Sequence, residues 1–232
     1  FLERSILCLP NSFYLLKHTE MFKSKHLWLQ CAILIGMFAL GRYFYERLPE
    51  MISMQRNIDG IADRAERKNL ISVFLLPIIT LLVLGIMKLA PFLDPRKEKY
   101  QQFFTVYESV QTILLWFLLY FYIVIIAKNL NPNLNIFSFF LFWIWILMML
   151  FGNYLPKIRR NYFTGIKTPR TLDNETVWNK THRLGWICFF WFGISLVINS
   201  YFLVFPLWHM GIILLITFFL TFYSYFISKH KD

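Results

Sequence analysis

The sequence predicts an all-α membrane protein that crosses the bilayer about six times. Of its 232 residues, 57% are hydrophobic and 20% aromatic, whereas 16% are charged, against about 25% in an ordinary soluble domain. The charged residues are gathered in short blocks between long apolar runs. A soluble fold has too little interior to cover so much apolar surface, whereas lipid covers it without a protein partner. The composition therefore excludes a soluble protein.

Six apolar runs have about the length needed to cross the hydrocarbon core, which takes roughly 20 residues of α-helix. They are residues 27–45, 70–90, 106–127, 134–151, 184–203 and 207–227. The runs are continuous rather than alternating, so helices are favoured over the strands of a membrane barrel. Pro77 in the second run predicts a kink at that point.

Lysine and arginine give these helices a direction. If the N-terminus lies inside, the segments on the cytoplasmic side carry 17 basic residues and the outer segments carry six. Basic residues accumulate in the cytoplasmic loops of membrane proteins, so both termini are predicted to be cytoplasmic. The inner loops then account for much of the net charge of +11, and no direct nucleic-acid partner is implied.

Two connections are long, and they divide the chain. The first part, 21–127, has three helices and a predicted extracytoplasmic loop at 46–69. The second part, 128–232, has three helices and a predicted cytoplasmic loop at 152–185. Loops of this length are uncommon in compact proteins and are often functional.

The first twenty residues do not resemble a signal peptide, because charged and turn-forming residues interrupt their short apolar stretches. Met21 opens a basic stretch just before the first long apolar run. We therefore expect that the native chain starts at Met21 and that residues 1–20 are an upstream extension.

The cytoplasmic loop offers clear helix signals. Pro156 is expected to end the fourth helix. A new helix is expected to begin near residues 171–174, with Glu175 in its first turn, where a negative charge suits the helix dipole. At helical spacing Glu175, Trp178 and His182 share one face. A single histidine without a second ligand at metal spacing is more often a hydrogen-bonded structural residue than a metal ligand. The sequence implies neither a metal nor a cofactor.

The same loop contains one dense run of polar and turn-forming residues. From 152 to 185 it reads Gly-Asn-Tyr-Leu-Pro-Lys-Ile-Arg-Arg-Asn-Tyr-Phe-Thr-Gly-Ile-Lys-Thr-Pro-Arg-Thr-Leu-Asp-Asn-Glu-Thr-Val-Trp-Asn-Lys-Thr-His-Arg-Leu-Gly. This run resembles the signature of the SdpI family, the Sdp-type immunity proteins of bacteria. The signature positions are Asn153, Pro156, Asn161, Gly165, Thr168, Pro169, Thr171, Leu172, Glu175, Trp178, Thr181, His182 and Arg183. One position departs, since Arg170 stands where many relatives have Trp.

The outer loop is similar to a small extracytoplasmic module of unknown function that precedes the Sdp-type segment in many relatives. The residues that carry this similarity are Leu48, Pro49, Gln55, Gly60 and Asp63. The module typically reads Leu-Pro-x-x-Ile-Pro-x-His and then Gly-x-x-Asp, and here Ser53 and Gln55 replace the second Pro and the His. Any role that rests on a protonatable histidine in this loop is therefore not expected. The alternative is a simple turn centred on Gly60.

Ionisable residues at membrane depth are costly and often functional. Glu108 and Gln111 share a face at the inner end of the third helix. With Asn153 and His182 they form either one polar pocket that faces the cytoplasm or a set of separate interfacial residues.

The resemblance implies an immunity protein of the bacterial cell membrane that protects the producing cell from a secreted peptide toxin. For some relatives it also implies that a cytoplasmic transcriptional repressor is held at the membrane, with Trp178 and Arg170 as candidate anchors. We therefore expect no enzyme. There are two alternatives. One is a membrane enzyme or transporter that uses an inner polar pocket of Glu108, Asn153, Glu175 and His182. The other is a receptor that sequesters a regulator without protecting the cell. The chain contains no P-loop, Gly-x-Ser-x-Gly or His-Glu-x-x-His motif.

Overall fold

The structure is a computed structural model that describes residues 24–56, 62–134, 136–202 and 207–229. Within these ranges the side chains of residues 53–56, 62–65, 136–141, 199–202 and 207–210 are not described. The predicted upstream extension, residues 1–20, and Gly60 of the outer loop lie outside the described residues, as do the side chains of Gln55 and Asp63.

Within the described residues the fold consists of six long helices and one short helix. They are α1 (Lys25–Tyr45), α2 (Leu70–Leu93), α3 (Tyr100–Leu130), α4 (Ile136–Tyr154), α5 (Pro169–Asp173), α6 (Glu175–Phe202) and α7 (Leu207–Lys229). Among the described residues, five long helices have the length and apolar composition of membrane spans. The sixth, α4, is a 19-residue apolar helix without a charged residue. A helical, multi-pass membrane fold is therefore supported, while six crossings and cytoplasmic termini stay predictions.

The outer loop departs from the all-α prediction, because it contains an antiparallel hairpin. Its strands are β1 (Met51–Arg56) and β2 (Ala62–Arg67), with Ile52 opposite Glu66 and a register shift on each side of Gln55. Leu48 and Ile52 are buried against Val73 of α2. Pairing between strands is a non-local contact that a short polar segment does not reveal by periodicity.

The long helices pack in two kinds of contact. Helices α1, α2 and α3 share a core that includes Met37, Leu84 and Leu115. Helices α4 and α6 approach closely at Gly152 and Gly193. A Cβ at Gly193 would collide with the side chain of Met149, and one at Gly152 would come within 3.1 Å of a neighbouring Cβ. Small residues allow such close approach between membrane helices.

Two prolines lie inside α2, and they are Pro77 and Pro91. Proline has no backbone N–H, so the carbonyls four residues earlier, those of Val73 and Met87, lose their helical partners. The hydroxyl of Tyr122 donates to the Val73 carbonyl (3.1 Å), and the hydroxyl of Tyr107 donates to the Met87 carbonyl (2.6 Å). Both tyrosines lie on α3. Helix α3 therefore supplies the hydrogen bonds that the prolines remove, which fixes the register of the two helices.

Replacing either tyrosine with phenylalanine is expected to lower the stability of the protein. Each loss should be about 0.6–1.7 kcal/mol, as for hydrogen bonds between membrane helices. Tyr107→Phe should have the smaller effect, because Gln111 also donates to the Met87 carbonyl (3.3 Å). Thermal unfolding in detergent measures the difference. Tyr43→Phe is the control, since that ring is exposed; equal unfolding temperatures for all three variants would contradict the role of the tyrosines.

Candidate functional site

The signature loop, residues 155–174, lies against the connection between α2 and α3. Asp94 in this connection accepts hydrogen bonds from the backbone N–H of Tyr162 (2.8 Å) and from the hydroxyl of Tyr100 (3.1 Å). Lys99 forms an ion pair with Glu175 at the start of α6 (2.9 Å). These contacts place two segments with predicted cytoplasmic positions on the same side of the helices.

Asn161 builds the turn at the start of the loop. Its Oδ1 accepts hydrogen bonds from the N–H groups of Phe163 (2.8 Å) and Thr164 (2.6 Å). Its Nδ2 donates to the carbonyls of Arg159 (2.8 Å) and Thr164 (3.0 Å). Asparagine is suited to such turns because its side chain bonds the nearby backbone. The residue is buried, so its role is to shape the loop.

Gly165 is the tightest point of the loop. Its φ of +117° lies in a region that side chains rarely adopt. A Cβ at this position would collide with Nε2 of His182 and come within 3.1 Å of the Trp178 ring. Backbone conformation and space therefore both require glycine here.

His182 is buried and fully hydrogen-bonded. Its Nε2 accepts the N–H of Ile166 (3.0 Å), so the proton resides on Nδ1, which donates to the Trp178 carbonyl (2.9 Å). The imidazole stacks on the indole of Trp178, with 4.0 Å between ring centroids. The indole N–H in turn donates to the carbonyl of Ile158 (2.8 Å). Because both ring nitrogens are occupied, this geometry favours a structural histidine over a metal ligand.

A capping box forms the short helix α5. The Thr168 hydroxyl accepts the N–H of Thr171 (3.1 Å), the Thr171 hydroxyl accepts the N–H of Thr168 (2.8 Å), and Pro169 occupies the first turn. The Thr168 hydroxyl also lies 2.9 Å from that of Ser224, which ties the loop to α7. Asn174 then caps α6 through its side chain. Helix α6 thus begins at Glu175, directly after the predicted start at residues 171–174, and the capping box adds the short helix α5 before it.

Most of the other signature residues are exposed. Asn153, Pro156, Pro169 and Arg183 are exposed, whereas Thr181 is buried. A second set of exposed residues forms what we call the exposed loop surface: Lys157, Arg159, Tyr162, Phe163 and Lys167. Buried signature residues thus shape the loop, and exposed ones are available to a partner.

Glu108 and Gln111 belong to a buried polar cluster at the inner ends of α1, α2 and α3. Ser24 donates to Glu108 (2.6 Å), and Lys88 approaches the same carboxyl group to 3.6 Å. Gln30 of α1 lies 3.4 Å from Gln111. The cluster thus joins the first three helices.

The described contacts favour separate residues over one pocket that combines this cluster with Asn153 and His182. Asn153 is exposed, and His182 bonds the signature loop instead. Glu108 and Gln111 contact residues of α1 and α2 or next to them. The sequence predicted the same depth in the membrane for all four residues, but their contacts differ.

At the outer end, Leu48 is buried and its carbonyl accepts a hydrogen bond from Lys68 (2.7 Å), while Pro49 is exposed. Between the hairpin and helices α2 and α3 lies a cleft of about 170 Å³. Apolar side chains, among them Ile52 and Ile79, line most of it. The end of the helices that is predicted to lie outside the cell therefore has an apolar recess beside a sheet edge.

Sequence reasoning missed the residues between α2 and the start of α3 that contact the signature loop. They are Asp94, Arg96 and Lys99 of the connection and Tyr100, the first residue of α3. Their sequence signal is weak, since a basic segment after a membrane helix is explained by the positive-inside rule alone. Within the described residues no group of His, Cys, Asp and Glu could hold a metal ion.

Two segments of the chain match known families. Residues 157–228 match the SdpI/YfhL protein family, and residues 32–81 match a domain of unknown function (DUF1648). Comparisons with curated proteins and with solved structures found no match. The first segment covers most of the signature loop with α6 and most of α7, and the second covers most of α1, the hairpin and the first half of α2. The resemblance seen in the sequence is therefore confirmed.

Proposed function

We propose, from the premise that residues 157–228 belong to the SdpI/YfhL protein family, that this multi-pass membrane protein is an immunity protein. It protects the cell that produces it from a secreted peptide toxin. The observation that carries the proposal is this family segment, whose signature folds into a fixed loop around Asn161, Gly165 and His182.

The outer end supports a peptide as the ligand. A two-stranded sheet leaves backbone N–H and C=O groups at its edges, to which an extended peptide can add as a further strand. The neighbouring cleft of about 170 Å³ is close in size to an engineered cavity of about 150 Å³ that binds benzene. The cleft is therefore suited to one ring or branched aliphatic side chain of the peptide.

The inner end supports a second partner, a cytoplasmic transcriptional repressor held at the membrane. Tyr162 and Phe163 are 42% and 39% exposed, and aromatic residues are frequent anchors of protein interfaces. Trp178, a candidate anchor from the sequence, is fully buried and takes no part. The guanidinium of Arg170 lies over the Tyr225 ring of α7, 5.6 Å from its centroid. The exposed loop surface thus replaces Trp178 in this proposal, while Arg170, which is exposed, stays a candidate anchor.

The alternative of a membrane enzyme or transporter required one cavity that joins Glu108, Asn153, Glu175 and His182. Their contacts separate them, since Glu175 pairs with Lys99 and the others lie in different surroundings. We therefore do not propose this function.

Survival of a toxin-sensitive strain that expresses the protein tests immunity. Challenged with culture supernatants of the native host and its relatives, the expressing strain should survive. Asn153→Ala should remove protection, because this exposed signature residue is available to a partner. The level of protein in the membrane should stay equal, because an exposed side chain contributes little to the fold. Asn179→Ala, an exposed residue outside the signature positions, is the matched control. No survival under any supernatant would contradict immunity, and crosslinking from the exposed loop surface would then test the repressor alone.

A further inference from the structure

Two arginines from distant parts of the chain meet at the end of α5. Arg96, in the α2–α3 connection, donates from Nη2 to the carbonyl of Leu172 (2.7 Å). Arg160, in the signature loop, donates from Nη1 to the same carbonyl (3.5 Å) and to that of Asp173 (2.5 Å). Because they share one acceptor, the two guanidinium groups are close neighbours.

Neither guanidinium has an ion pair among the described residues. Three acidic residues lie nearby. Asp94 accepts from the Tyr162 N–H, the Tyr100 hydroxyl and the backbone N–H of Arg96. Glu175 pairs with Lys99 and interacts with Arg160 only at longer range, and the side chain of Asp173 is exposed. Two positive charges are thus held side by side against carbonyl oxygens, which carry only partial negative charge. Like charges at short range raise the free energy of a protein unless an anion lies between them.

Each arginine also keeps a buried nitrogen without a hydrogen-bond partner, Nη1 of Arg96 and Nε of Arg160. A buried donor without an acceptor is costly. Arg96 Nη2 and Arg160 Nη1 cap the last carbonyls of α5, which explains their positions. Capping does not explain the two nitrogens without a partner. Both side chains are otherwise only half-buried, so an anion has access to the pair from the surface.

We propose that Arg96 and Arg160 form a binding site for a phosphate group. The edges of two guanidinium groups match the oxygens of a phosphate, and such charge-assisted bonds are short and strong. Tyr162 stacks over Arg96, 4.5 Å from its ring centroid, which covers the face of the guanidinium and leaves its edge to the ligand. This site does not depend on the proposed immunity function.

The position of the pair indicates where the phosphate comes from. The site lies where α2, α3 and α6 begin or end, on the side with predicted cytoplasmic loops, and basic pockets there bind anionic headgroups in membrane proteins. A lipid phosphodiester and free inorganic phosphate share the required chemistry. The experiment separates the two sources.

The test uses the whole protein in nanodiscs and in detergent. Native mass spectrometry measures how much phosphatidylglycerol the protein retains relative to phosphatidylcholine, and thermal unfolding in detergent measures stabilisation by inorganic phosphate. Arg96→Gln and Arg160→Gln should each weaken the binding of the phosphate ligand about tenfold, since one charge-assisted hydrogen bond is lost. Arg159→Gln is the matched control, an exposed arginine next to Arg160, and should bind like the wild type.

Retention of phosphatidylglycerol without a response to inorganic phosphate supports a lipid site, and a response to inorganic phosphate supports a site for the free anion. Arg96→Lys and Arg160→Lys preserve the charge but not the two-pronged geometry, so weaker binding in these folded variants also supports the site. Equal losses in Arg159→Gln and Arg160→Gln would overturn it, because general surface charge would then account for binding. Absence of both responses in the wild type would overturn it as well.

Discussion

Gly165→Ala is expected to unfold the signature loop and to abolish every activity that depends on it. Glycine at φ +117° avoids a strain that costs other residues about 1–3 kcal/mol. The new Cβ would also collide with Nε2 of His182 and press on Trp178, and such overpacking costs about 1–3 kcal/mol more. Thermal unfolding in detergent and survival under toxin measure the two consequences. Because the bonds of His182 to Ile166 and Trp178 would be disrupted, protease sensitivity should rise within the loop.

Two other glycines provide controls of the same chemical change. A Cβ at Gly36 of α1 or at Gly85 of α2 meets nothing within 4 Å. Both positions are helical, where alanine is favoured over glycine by about 1 kcal/mol. Gly36→Ala and Gly85→Ala should therefore keep or slightly raise the unfolding temperature. If Gly165→Ala behaves like these two variants, the loop does not have the close contact around His182 described above.

His182→Ala is the second change with a large expected effect. It removes the acceptor of the Ile166 N–H, the donor to the Trp178 carbonyl and the ring stacked on Trp178. A cavity and one unpaired backbone group, the Ile166 N–H, remain, because the Trp178 carbonyl still accepts the helical N–H of residue 182. Truncations of this kind cost about 2–5 kcal/mol. Protection should be lost together with stability. Unfolding temperature and the level of protein in the membrane must therefore be measured beside survival.

Two further variants determine what His182 does. His182→Gln retains an acceptor that can reach the Ile166 N–H, so it should recover part of the stability, whereas His182→Phe retains the stacking alone. A metal-binding or catalytic histidine would show loss of function in both variants without a change in unfolding temperature. That result would contradict the structural role.

The double variant Gly165→Ala, His182→Ala tests the contact itself. If the alanine at 165 mainly collides with the imidazole, removal of the imidazole should relieve part of the cost, and the two losses should not add. Strict additivity would mean that backbone strain at Gly165, rather than the collision, explains the first variant.

The segment that matches the SdpI/YfhL family is held in place by residues outside that segment. Asp94 and Tyr100 lie outside both matched segments, yet they hold the backbone of Tyr162 and the side chain of Asn161. At the other end of α2, the helix begins directly after the outer hairpin. One helix therefore connects the outer module with the inner loop.

The sequence by itself determined the membrane class, the positions of the helices and the family. Long apolar runs predict helices because a backbone in lipid must bond within its own segment, and this local rule placed α1, α2 and α7 within a few residues of their bounds. Pro156 likewise marked the end of α4, which the structure places at Tyr154. The signature identified the loop, since it is one continuous block.

Only the tertiary structure decided which residues of that block are buried and what they touch. Trp178 looked like an interface anchor and is core, because its partner at 158 is distant along the chain. His182 was expected to be a hydrogen-bonded structural residue, but only the structure identifies its partner at 166. The Arg96–Arg160 pair and the tyrosines that satisfy the proline-freed carbonyls arise in the same way. Such contacts depend on how elements pack, and no periodicity or charge count within one segment encodes them.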